Sequence, residues 1–451
     1  MELTASVILA AVVFYSLLVT CAVLLGRGPT DVVLLFVLVF CLFYGFRPLL
    51  FVLGLDVPYP TNLFFPEQLP GLLTTTLLAL SCYLALAMVG IAAVTRSGTR
   101  GWAPFFAQRE TDPRRALTAT FVLTGVGALV SAYLVVRYGG VGGVIVAGKY
   151  DKALAGLYWL RSVSAVGAVL AVTTFIDLRR LGARSRVITA VALACAFANA
   201  FFVFMWGSRG VLVVVAATIV LGLQPHRRRS RIKRERVLVR LLVAVLLVVV
   251  AASGMRMVRD TLSHGEVQGT YAASSTWRQV SLGTNSVYFD AAMLSFRDWP
   301  SAHRLRGGED FVNGVVGVVP RAVWSGKPQA IPPGKWFRQV YEPRKLNGWP
   351  MGAAALWYLN FGWLGLAVGG LVSGLVIGMV AAAQRRRPRS GFNTGVAVIA
   401  AVFVLPLGMD NVTPMKLVIW LGPMWLLSWY VAPRRSARVP LREVPAREVI
   451  N

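Results

Sequence analysis

Charge is scarce in this chain. Only 14% of its 451 residues are Asp, Glu, Lys or Arg, whereas a soluble globular chain is nearer a quarter charged. Acids are the rarer sign: 19 against 46 Lys and Arg, for a net charge of +27. There are three histidines and four cysteines. Cys21, Cys41, Cys82 and Cys195 all fall inside apolar runs, without the polar neighbours that a metal or disulfide site needs, so they read as small hydrophobes. HExxH, paired CxxC and GxSxG are absent, and residues 256–356 hold no DxD-type acidic pair. The signatures of zincin, dithiol and serine-hydrolase chemistry are therefore missing. "GVIVAGKY" (143–150) has the spacing of a phosphate loop but lacks the Ser or Thr that binds magnesium, and reads as a Gly-rich turn into a helix.

What fills the chain is apolar. Hydrophobic residues make up 56% of it, and the mean hydropathy is +0.64. Apolar runs of spanning length recur from end to end and do not alternate, so they predict helices, the open-ended way to satisfy every backbone polar group in lipid. The expected fold class is an all-α polytopic membrane protein. Its spans fall near 5–26, 32–54, 71–94, 116–136, 157–177, 187–206, 210–224, 238–255, 357–382, 393–409 and 416–432, about eleven in all. The first run lacks a basic n-region and a clear cleavage site, so it is expected to stay as a span.

The basic residues set the orientation. "TRSGTRGWAPFFAQRETDPRR" (95–115), "LRRLGARSR" (178–186), "HRRRSRIKRER" (226–236), "QRRRPRS" (384–390) and "PRRSAR" (433–438) follow alternate spans. Five agreeing loops mark the cytoplasmic side and place the N-terminus outside. Most of the positive charge is thereby explained by topology and anionic headgroups, not by nucleic acid. The expected division is 1–255 N-terminal helices, 256–356 one long extracytoplasmic loop, 357–432 C-terminal helices and 433–451 a basic cytoplasmic tail.

That loop reads as ordered. Tyr288, Ala292, Phe296 and Trp299 recur near helical spacing, which suits a helix lying in the membrane interface. Phe311, Val315, Val316 and Val319 suit a second, which Pro320 ends or bends. A loop of this length with its own order is usually functional. The basic side offers only short loops and nowhere to fold a nucleotide-sugar domain, so a reaction is expected outside.

Arginines collect at that outer edge, where the positive-inside rule predicts few. Arg47 and Arg209 lie at span ends, as do Arg256 and Arg259; the loop adds Arg278, Arg304, Arg306, Arg321, Lys327 and Arg338. Each alone fits snorkelling or headgroup contact. As a group they suit a pyrophosphate, because the planar guanidinium stays charged and matches phosphate oxygens, and several would stabilise it as a leaving group. His264 and His303 have the ordinary range suited to deprotonating an acceptor hydroxyl. Asp410-Asn411 reads as a simple turn, and no convincing acid falls in a helix centre, which lowers a transport reading.

"GSRG" (207–210), then "PRAVWSGKP" (320–328, from Pro320 to Pro328), then Tyr358-Leu359-Asn360-Phe361-Gly362-x-x-Gly365 stand in one order around the loop. This pattern resembles the Wzy-type O-antigen polymerases, the oligosaccharide repeat-unit polymerase family, over about span six to span nine. The resemblance implies a GT-C-like membrane glycosyltransferase of the bacterial cytoplasmic membrane with an extracytoplasmic site. Its donor and acceptor would be undecaprenyl-pyrophosphate-linked oligosaccharides, with no metal and no other cofactor, beside membrane lipids and a chain-length regulator. Arg209 and Arg321 would engage pyrophosphate, and Arg256, Arg259, Arg278, Lys327, Arg338 and Asn360 would line the substrate. Trp324 would anchor the loop at the interface or stack on a sugar, anchoring being preferred. An O-antigen ligase-like transferase, a lipid-linked oligosaccharide flippase and a non-catalytic assembly partner are the alternatives.

Overall fold

The computed structural model describes residues 4–26, 31–55, 63–96, 111–150, 158–180, 186–205, 214–219, 287–319, 323–328, 331–344, 348–386, 391–405 and 407–432. The described residues are helical, without a sheet. The helices are α1 (Ala5–Leu25), α2 (Val32–Val52), α3 (Leu69–Arg96), α4 (Pro113–Arg137), α5 (Val141–Tyr150), α6 (Tyr158–Arg180) and α7 (Arg186–Met205). Beyond them come α8 (Tyr288–Asp298), α9 (Glu309–Gly317), α10 (Pro333–Tyr341), α11 (Ala353–Arg386), α12 (Gly391–Val398), α13 (Thr413–Lys416) and α14 (Gly422–Tyr430). Seven helices among the described residues are long and apolar enough to cross a membrane: α1 to α4, α6, α7 and α11. This is a helical membrane protein. The run expected at 238–255, and most of 210–224, lie outside the described residues.

The described helix ends that flank the Arg-rich segments are tied to one another, as the alternation of those segments requires. Asp31 caps α2 and takes the Arg385 guanidinium at 2.8 Å, while Gln384 accepts from Val32 N–H at 3.0 Å. Arg115 donates to the carbonyl of Ala432 at 3.0 Å, and Asp177 accepts from Gly391 N–H at 2.7 Å. Backbone groups at three helix ends, the starts of α2 and α12 and the end of α14, are satisfied this way.

The longest seam joins α3 to α11. Gly370, Gly374 and Gly378 recur every fourth residue on α11, and Gly90 answers them from α3. A methyl group at Gly374 would overlap the Ala87 carbonyl, one at Gly370 the Tyr83 carbonyl, and one at Gly90 the Leu371 carbonyl. Two backbones in lipid gain contact by this close approach, since apolar side chains gain nothing over lipid tails.

Two spans differ from the sequence reading. Residues 391–404 are α12 continued by a π-helical stretch, Ile399–Val404, and a helix of that length rises only ~21 Å, short of the ~30 Å hydrocarbon core. The chain then turns within the bundle. Gly408 takes φ +108°, Met409 N–H donates to Ser373 Oγ at 2.7 Å and Tyr83 Oη to the Leu407 carbonyl at 3.3 Å. α13, a π-helical stretch and α14 return to the basic end. The reason is that Tyr83 and Ser373 offer buried hydrogen bonds that let irregular backbone sit at depth.

The second is the start of α11. Gly362 breaks it with φ 64° and ψ −150°. The Trp357 ring lies beside Gly369, though twelve residues of straight helix would separate them by ~18 Å. The turn Ala353–Phe361 therefore doubles back on the span. Its start at Gly352 faces Tyr44 and Leu407 inside the bundle. Its end, at Leu359 and Asn360, accepts from the backbone N–H groups of Arg306 and Gly307 at 2.9 and 3.0 Å.

Gly374→Leu is expected to force α3 and α11 apart, an overpacking cost of about 1–3 kcal/mol. Thermal unfolding of purified protein followed by size-exclusion fluorescence should show a lowered midpoint; an unchanged midpoint would mean the seam is not close-packed.

Candidate functional site

The candidate site lies at the end opposite the helix ends Arg96, Arg115, Arg179 and Arg385, where the described residues of 287–361 fold against the spans. α8 was expected to lie in the membrane interface. Instead Phe289 to Phe296 are all buried, because α8 packs between α3 and α11. Its anchor is Asp290. Arg47, two residues after a π-helical stretch in α2, gives Nε to Asp290 Oδ2 at 2.7 Å and Nη2 to Oδ1 at 3.3 Å. The two side chains are 2% and 1% exposed, and Phe51 covers the guanidinium at 5.0 Å from its ring centroid. A buried charge survives in such a place only when paired.

A second pair closes the far end of α8. Asp298 holds Arg297 Nε at 2.6 Å and accepts the Tyr341 hydroxyl of α10 at 2.5 Å. Arg297 also donates to the Leu63 carbonyl. Burial first, and then the bond to Asp298, push the Tyr341 hydroxyl well above its ordinary 10.0. Around them Trp299 stacks on Phe337 at 5.5 Å and Tyr341 on Trp349 at 5.8 Å. His303 lies 4.5 Å from the Trp299 ring.

The third cluster centres on Asp310, which is 1% exposed at the start of α9. Its Oδ2 takes Arg306 Nε at 3.2 Å and Asn360 Nδ2 at 3.1 Å, and its Oδ1 takes Trp336 Nε1 at 3.1 Å. Arg306 lies over the Trp336 ring at 4.4 Å and reaches Glu309 Oε2 with Nη2 at 2.9 Å. Three side chains, from the turn before α9, from α10 and from the start of α11, thus converge on one carboxylate. Asn360, expected to line substrate, is buried and spends its amide on Asp310 and on the Leu356 carbonyl.

The other expected residues divide three ways. Lys327 donates to the carbonyls of Gly317 and Val319 at 3.1 and 3.0 Å, closing the C-terminal end of α9, where a cation also suits the helix dipole. Arg338 is buried, pairs with Glu342 at 2.7 Å and lies 5.8 Å from the Trp349 ring. Trp324 stands 44% exposed, as an anchoring role needs. Arg209, Arg256, Arg259, Arg278, Arg321 and His264 lie outside the described residues. Arg304 and Arg344 are exposed and Lys335 half-buried, and among the described residues none of the three has a carboxylate at ion-pair distance.

Asp410 is more than a turn. It takes the Thr413 hydroxyl at 2.6 Å and Lys416 Nζ at 3.1 Å, in the loop that sits inside the bundle. Asp290, buried in α8, and Asp410, part-buried in this loop, both lie outside the seven spanning helices among the described residues. Arg306 with Glu309 and Asp310, and Arg338 with Glu342, at i+3 and i+4, carried a local signal.

No family model matches the chain, and no curated protein or solved structure matches it.

Asp290→Ala should take away the carboxylate that faces buried Arg47, at a cost of about 3–5 kcal/mol, whereas Arg47→Met with Asp290→Leu should recover most of it. Thermal midpoints of the single and double variants decide this. Tyr341 gives a pH test. A raised hydroxyl lets the folded state keep a proton that the unfolded state loses, so its contribution is whole below about pH 10 and is lost as pH rises beyond. Tyr341→Phe should flatten the fall in midpoint between about pH 9.5 and 11; an unchanged slope would place the titrating group elsewhere.

Proposed function

We propose that this chain is a membrane glycosyltransferase that polymerises undecaprenyl-pyrophosphate-linked oligosaccharide units into a surface polysaccharide, on the extracytoplasmic face of the bacterial cytoplasmic membrane. The observation that carries the reading is the folded element 287–361. It is built into the end of the bundle away from the basic loops, which the positive-inside rule assigns to the outside. It presents cations, a carboxylate cluster and exposed aromatic and aliphatic side chains together, as a lipid-linked anionic sugar donor requires. The order of "GSRG", "PRAVWSGKP" and Asn360-Phe361-Gly362 around that element supports the family resemblance.

In the reaction, the bond from the donor's anomeric carbon to the pyrophosphate oxygen breaks, and the electron pair leaves with undecaprenyl pyrophosphate. The acceptor sugar hydroxyl bonds to that carbon and gives up its proton. Arg209 and Arg321 are assigned to the pyrophosphate, with Arg304 and Lys335 added because they hold no carboxylate among the described residues. His303, between Trp299 and the exposed edge, is assigned to the acceptor proton. Fixed cations facing the growing negative charge supply the acceleration without a metal. Trp324 anchors the segment at the lipid surface.

The test is glycan length on a gel, in cells deleted for the gene and complemented with wild type or Arg321→Ala. A ladder that collapses to single repeats on deletion, and is not restored by Arg321→Ala at normal membrane expression, is the expected result. A ladder that persists on its lipid carrier but never reaches a final acceptor would overturn polymerisation in favour of a ligase-like transfer.

A further inference from the structure

We infer that Arg306 is a phosphate-type anion site held in reserve by Glu309, which the arriving anion displaces. The guanidinium is divided between two carboxylates of opposite character. Its Nε edge faces Asp310, a side chain 1% exposed and tied also to Trp336 and Asn360. Its Nη2 faces Glu309, whose side chain is 59% exposed, at 2.9 Å. Breaking the inner pair would strand a buried charge, which is costly. The outer pair is a surface salt bridge worth little, because water and salt already compete for both partners. The inner contact, with the Trp336 face at 4.4 Å, fixes the plane of the guanidinium, while the outer edge is exchangeable. A phosphate offers that edge paired oxygens and more charge than one carboxylate.

The surroundings favour the exchange. Gly307 and Gly308 take φ 59° and 90°, so glycine is needed for the turn. A Cβ at Gly307 would meet nothing within 4 Å, so that side of the loop is open. Arg304 and Lys335 flank Arg306 and Trp336 in sequence. Glu309 stands in the first turn of α9, where the positive end of the helix dipole also favours an anion.

This inference deepens the proposed function by naming a donor-phosphate contact; only the ligand's identity rests on that reading. The shared chemistry is a phosphate group, from a lipid-linked pyrophosphate or a phospholipid head.

The experiment is calorimetric titration of inorganic pyrophosphate into the full-length protein in maltoside detergent. Removing the competitor has a sign that a structural role does not give: Glu309→Gln should tighten binding by roughly two- to fivefold. Arg306→Gln should weaken it by about tenfold or more. Glu67→Gln, an exposed carboxylate at the same end of the bundle, should change nothing. Unchanged or weaker binding in Glu309→Gln overturns the inference, as does full affinity in Arg306→Gln. If Arg306→Gln does not fold, Glu309→Gln decides alone, since that side chain is solvated. Affinity retained in phosphatidylglycerol nanodiscs assigns the site to a carrier pyrophosphate; affinity lost there assigns it to the lipid headgroup. A normal polymer ladder with no Glu309 effect rejects this inference alone, while tight pyrophosphate binding without any ladder rejects the polymerase reading alone.

Discussion

Arg47 and Asp290 stand 243 residues apart and meet with almost no exposure. Taking one charge out of water costs several kcal/mol, and only the partner with good geometry offsets it. The pair therefore sets a condition on the rest of the fold: α8 must enter the bundle beside α2 in one register, or both charges are stranded. The π-helical stretch before Arg47 supports the condition, since such stretches adjust the direction in which a helix presents its side chains. Once α8 is fixed, Tyr358 can donate to the Trp299 carbonyl at 2.7 Å, and Asp298 can take Arg297 and Tyr341. The loop is thus held by polar bonds at its buried points and by ring packing between them.

That arrangement separates two kinds of cation. Arg47, Arg297 and Arg338 are paired with carboxylates, and Lys327 is spent on backbone carbonyls. These hold the platform rigid. Arg306 stands between the classes, with one fixed edge and one exchangeable edge. Such a division suits reversible anion binding, because flexible cations lose side-chain entropy on binding and locked ones have no free donors.

Legibility followed the range of the physics involved. Apolar runs and basic loops are local, so α1 to α4, α6, α7 and α11 and the common basic end could be read from residues alone. α8 and α9 were also visible in the spacing of Tyr288, Ala292 and Phe296 and of Phe311 and Val315. Their burial was not, because an amphipathic period does not tell lipid from protein. The turn at Leu407–Asp410 escaped because 391–404 is apolar enough to look like a span; only Ser373 and Tyr83, from distant helices, explain why the chain reverses there. The four-residue recurrence of Gly370, Gly374 and Gly378 was available in the sequence and passed over. At the site, the Arg306–Glu309–Asp310 spacing was local and readable, while Asn360 and Trp336 reach Asp310 from segments that no spacing connects.

The buried acids bear on the rival transport reading. An acid within the hydrocarbon depth is a functional hypothesis by default, and pumps use such groups as relays. Here Asp290 is clamped by two arginine nitrogens, and Asp410 is held by Lys416 and Thr413 in a turn that Met409 and Ser373 pin in place. A relay must change partners as it cycles, and a clamp of this kind opposes that, since each step would strand a charge in a dry interior. The exchangeable contact is instead Arg306 with Glu309, on the exposed side of the platform. The charge contact that can exchange therefore lies on the exposed side of the platform, and those inside the bundle fix the element that presents it.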